Sequence, residues 1–181
     1  MFPSTYRGLA ALAAMAVIAG CTSTTQDGAT PEPQQQAATA AVVQGTCPPV
    51  SLREGTAFYR DYGNGGTEGS PEDVRYQASI AATTRQCLLS GSEIGMTVTV
   101  AGRVAAGPAG GPGPVQLPIR VAVLRNGEVL YSEMQMYTVE LPSNAPTTQF
   151  VYTDANVRIP ADAVNSVRVY AGFDEGPYDT P

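Results

Sequence analysis

Short apolar and polar residues alternate along most of the chain after residue 46. Ile94-Gly95-Met96-Thr97-Val98-Thr99-Val100 puts Ile, Met, Val and Val on one face, the signature of a half-buried strand. The Asn126-Gly127 pair predicts a hairpin, because a type I′ turn needs positive φ at both central residues. With residues paired symmetrically across that turn, Arg125 faces Glu128 and Arg120 faces Glu133. Ile119, Val121 and Val123 then align with Met134, Ser132 and Leu130 on a mainly apolar face, while Arg120 and Glu133 share the other with Ala122 and Tyr131. Further strands are predicted over Ala57–Asp61, Arg75–Ala82, Phe150–Asp154 and Ser166–Phe173. In the last, Val167, Val169, Ala171 and Phe173 alternate with Arg168 and Tyr170.

Gly- and Pro-rich breaks separate these runs. About seven short strands in one length of chain predict an all-β fold, a single antiparallel β-sandwich over residues 46–181, with a small β-barrel as the alternative. In strand count the domain resembles immunoglobulin-like or fibronectin-like modules, although the Cys…Trp…Cys spacing of the former is absent. Residues 107–114, Gly-Pro-Ala-Gly-Gly-Pro-Gly-Pro, are expected to form a mobile loop between strands. Gly63–Gly69 reads as a polar turn.

Composition narrows the function. The 181 residues carry 10 Lys+Arg against 16 Asp+Glu, for a net charge of −6, and the basic residues are all Arg. Nucleic acid is therefore disfavoured as a partner, since phosphate binding needs clustered basic charge. With neither His nor Lys, Ser, Thr and Cys lack the usual base for nucleophilic catalysis, and zinc lacks its commonest nitrogen ligand. No pattern calls for a cofactor. Two-carboxylate hydrolysis is left chemically open, but Glu72-Asp73 and Asp174-Glu175 are adjacent in sequence and read as solvated loop charges. Asp61, Asn64 and Glu68 offer weak oxygen ligands for Ca²⁺ without the EF-hand spacing. The loops at 63–69 and 107–114 keep a carbohydrate- or Ca-binding module as one alternative. Tyr178, among acids after the last predicted strand, is a candidate interface residue or part of a folded-back tail.

The first residues carry a different signal. Arg7 precedes about eleven apolar or small residues, Leu9 to Ala19, which suits a signal peptide over residues 1–20 and is too short to span a bilayer. Ile18-Ala19-Gly20-Cys21 follows and resembles the lipobox of bacterial lipoproteins. The resemblance implies diacylglycerol on the Cys21 thiol, cleavage just before it, and attachment to a membrane of the bacterial envelope. Thr22, where Asp favours inner-membrane retention in that family, points to the outer membrane with the domain facing the periplasm. Residues 21–45 contain no aromatic residue, Leu or Ile and read as a lipidated cysteine and a disordered linker, with a short helix through Gln34–Val43 as the alternative. In an oxidising compartment Cys47 and Cys87 pair as a disulfide. Together these features lead to the expectation of a non-catalytic outer-membrane lipoprotein, a binding or structural module with an envelope protein as partner. A surface-exposed lipoprotein that contacts a host or a neighbouring cell is the other alternative. The sequence does not fix the oligomeric state.

Overall fold

The computed structural model describes residues 41–42 and 47–176. The described residues form a β-sandwich within the unit Ala38–Pro181. The strands are β1 (Ala41–Val42), β2 (Val50–Leu52), β3 (Phe58–Asp61), β4 (Tyr76–Ser90), β5 (Glu93–Ala106), β6 (Gly113–Arg125), β7 (Glu128–Leu141), β8 (Thr147–Pro160) and β9 (Val167–Phe173). One sheet runs β1-β4-β5-β8, with β3 also on β4; the other runs β2-β9-β6-β7. The two sheets are separate, so the barrel alternative does not hold. All pairings are antiparallel except β2 on β9.

The core follows the alternation. Ile94, Met96, Val98, Val100 and Val104 of β5 face Val115, Leu117, Ile119, Val121 and Val123 of β6, all buried. Each fully buried side chain of this size contributes roughly 1.5–3 kcal/mol relative to exposure. Gly102 interrupts the β5 series for a steric reason. A Cβ there would lie 2.6 Å from the Phe150 ring and 2.2 Å from the Ser79 carbonyl oxygen, so the glycine makes room for the aromatic.

The hairpin turn forms at Asn126-Gly127, with φ of 52° and 93°, and Arg125 pairs with Glu128 as expected. Beyond the turn the register differs. Leu124 pairs with Val129 but Val123 pairs with Tyr131, leaving Leu130 as an extra residue. This bulge lets Leu130 and Tyr131 both pack against the core. Because side chains alternate, the one-residue slip exchanges the faces of everything after it. Arg120 is opposite Met134 rather than Glu133, and Glu133 shares the inner face with Val121.

Three further expectations change. Ala41–Val42, inside the expected linker and its helical alternative, pair with Leu89 and Leu88 of β4. The Cys47–Cys87 bridge explains this, because it holds the chain beside that end of β4. The loop after β5 is pinned rather than mobile. Gly107 and Ala109 donate to the carbonyls of Arg75 and Val74, and a Cβ on Gly107 or Gly110 would lie 2.1 or 1.8 Å from those same backbone oxygens. Glycine is needed there for close approach of two backbones. Finally, Gly113 and Pro114 already belong to β6.

Candidate functional site

Cys21 and Tyr178 lie outside the described residues. Cys47 and Cys87 are joined, with sulfurs 2.08 Å apart and Cα atoms 5.6 Å apart. Cys87 is buried on the inner face of β4. Asp61 is committed to local structure: Oδ1 accepts the Gly63 N–H at 2.8 Å, and Oδ2 lies 3.7 Å from Arg75 Nη1. Glu68 lines the same open cleft as Asp61, whereas Asn64 does not. Among the described residues, no group of three or more His, Cys, Asp or Glu is placed to hold a metal ion.

Asp174 is not a free loop charge. It pairs with Arg120, and its Oδ1 also accepts the Gly176 N–H. Burial alone would raise its pKa, but the Arg120 and Gly176 hydrogen bonds and the Arg120 charge hold it below the ordinary value. Arg120 also donates to Ser132, which the bulge has turned to this outer face. The same face holds a shallow groove between Arg53, which lies over the Tyr170 ring, and Asp174.

The densest unassigned polar chemistry lies elsewhere, where β7 and β8 run along one side of the sandwich. Each is 14 residues long and each ends its sheet; among the described residues no strand pairs with the outer edge of either. Side chains bridge them instead. Tyr137 Oη donates to the Val151 carbonyl at 2.9 Å, and Tyr131 Oη donates to Asp154 Oδ2 at 2.7 Å. Asp154 is 3% exposed and is the buried charged side chain of the described core. Its Oδ1 accepts the Asn156 N–H, which stabilises a second bulge where Thr97 stands opposite Ala155 and Asn156. Arg158 caps the Ala155 and Val157 carbonyls.

Tyr152 completes this seam. Its ring packs edge-on against Tyr137 at 5.6 Å, yet its buried hydroxyl has no hydrogen-bond partner among the described residues. Burial, then the negative charges of Asp154 and Glu133, push its pKa up to about 12. Tyr131 is raised further by burial, by its bond to Asp154, and by the charges of Asp154 and Glu133. Both phenols therefore keep their protons at neutral pH. The arrangement gathers acidic and hydroxyl groups between two sheet edges, a setting suited to a positive group.

Sequence alternation contained part of this site. Phe150, Tyr152 and Asp154 lie on one face of a predicted strand, and an acid on an apolar face is a signal in itself. Tyr131 and Glu133 come to that face only through the Leu130 bulge.

No protein-family model, curated protein or solved structure matches the chain.

Proposed function

We propose that this chain is a lipid-anchored protein of a bacterial outer membrane, attached through Cys21, with its β-sandwich in the periplasm as a non-catalytic binding or structural module. The observation that carries the reading is the Cys47–Cys87 disulfide downstream of the lipobox-like Ile18-Ala19-Gly20-Cys21. Disulfides persist in oxidising compartments, and a lipobox directs a chain into one. The two free strand edges support a binding role, because exposed ladders recruit added strands.

The test is metabolic labelling with palmitate in a bacterial host, followed by membrane fractionation. The wild-type chain should take up label and sediment with the outer membrane; Cys21→Ala should lose both properties. Label retained by Cys21→Ala would sink the anchor assignment. Proteinase treatment of intact cells should spare the sandwich, and cleavage there would place it on the cell surface instead. Photo-cross-linkers at Tyr178, in the 107–114 loop and at Gln135 should capture envelope proteins, and clean monomer at all three would refute the binding role.

A further inference from the structure

Resting on the partner-binding reading, we propose that the β7–β8 seam receives an arginine side chain from an extended partner segment that adds as a strand to the free edge of β7. Three independent observations meet here. The first is the β7 edge itself, 14 residues without a strand partner among the described residues. The second is charge: β7 carries Glu128, Glu133 and Glu140 and no basic residue, and Asp154, bonded to Tyr131, lies behind it. Glu133 makes no ion pair within the described structure. The third is Tyr152 Oη, a buried hydroxyl beside those acids and without a partner among the described residues. Such a group costs free energy when left unsatisfied, so a ligand that satisfies it recovers that cost.

Strand geometry and side-chain chemistry then select the occupant. A residue of an added strand opposite Glu133 points to the same face as Glu133, toward the other sheet, with Cβ atoms about 4.5–5.5 Å apart. From there a long side chain reaches inward along the seam. A guanidinium has five donors in a planar fork, enough for Glu133, Asp154 and the Tyr152 oxygen together. Its flat, weakly hydrated faces suit the Tyr131 and Tyr137 rings. A lysine ammonium, strongly hydrated and without a planar face, is the poorer fit.

The test uses the full-length chain in detergent micelles and isothermal titration with the peptide acetyl-Thr-Val-Thr-Arg-Thr-Val-Thr-amide. Its controls carry citrulline or lysine at the centre. The arginine peptide should bind about ten-fold or more tighter than the citrulline peptide, and tighter than the lysine peptide. Glu133→Gln, at an exposed position, should weaken it at least about ten-fold. Tyr152→Phe should weaken it several-fold without lowering the melting temperature, which separates ligation from folding. Equal binding of arginine and citrulline peptides, no binding at millimolar peptide, or indifference to both variants would overturn the proposal. So would calcium chloride alone raising the melting temperature through Glu133 and Tyr152, since the seam would then be a metal site. In cells, adducts at Tyr178 or the 107–114 loop but none at Gln135 would refute the seam while leaving the partner-binding reading intact.

Discussion

The Tyr152 hydroxyl is the least satisfied polar atom of the described core, and removing it gives a prediction of unusual sign. Tyr152→Phe deletes a buried group with no bond to lose among the described residues, so the melting temperature of the isolated protein should hold or rise. A fall of several degrees would mean that the hydroxyl is bonded in solution. The same residue sets an alkaline limit. Its pKa is about 10 unfolded and about 12 folded, so folding favours the protonated phenol. Its contribution is complete below pH 10 and is lost as pH rises from 10 to 12. Absorbance at 295 nm should show part of the nine tyrosines ionising late, together with unfolding, and that late component should shrink in Tyr152→Phe. Asp174 acts at the opposite end of the scale. Its pKa is depressed, so its contribution is present above the unfolded value, about 4, and is lost as pH falls through the folded one. Asp174→Asn should therefore flatten the acid limb of a stability–pH curve and leave the alkaline limb unchanged.

At the level of elements, close backbone approach is the sharpest constraint. Gly110→Ala would drive a methyl into the Arg75 carbonyl oxygen, and the loop over Val74–Arg75 must move to admit it. A cost of about 1–3 kcal/mol is expected by chemical denaturation, with Gly111→Ala, which meets nothing, as the silent control. The elements also show which parts of the fold local sequence could specify. The Asn126-Gly127 hairpin was legible because its turn residues meet a local backbone requirement. Its register was not. Val129-Leu130-Tyr131 is a run of large residues with no local mark for which one is extra, and the core beneath decides that two of them turn inward. Two acceptable charge pairings, Arg125–Glu128 and Arg120–Glu133, supported a register of which only the first survives. β1 and β2 were missed for a related reason: at two and three residues they carry no periodicity and are held by distant partners on β4 and β9. Candidate-site legibility followed the same division. Asp154 stands out on the apolar face of its own strand, whereas its partner Tyr131 depends on that bulge.

For the whole molecule, the disulfide is the dominant single constraint. Cys47 and Cys87 are 40 residues apart in sequence. In the chain-entropy model, closing a loop of that size stabilises the fold by roughly 4 kcal/mol, a large part of a typical ~5–15 kcal/mol total. Cys87→Ser, or reduction, should lower the denaturant midpoint accordingly, and an unchanged midpoint would show that the bridge does not form in solution. Both long free edges lie on the β7–β8 side, while β4 at the opposite end of its sheet is partly covered by β1 and β3. An added strand would thereby be directed to one flank.

The bridge has a mechanical consequence for a chain held at its N-terminal side. Tension applied from that side would first peel the two-residue β1 from β4 and then reach Cys47. There the load crosses a covalent bond to Cys87 and enters β4 directly, bypassing β2, β3 and the loop that contains Glu68. That bypassed segment is slack the molecule cannot release while oxidised. Stretched between its ends in a single-molecule pulling experiment, the reduced chain should gain roughly 130–140 Å of contour length over the oxidised one, from ~3.3–3.6 Å per residue.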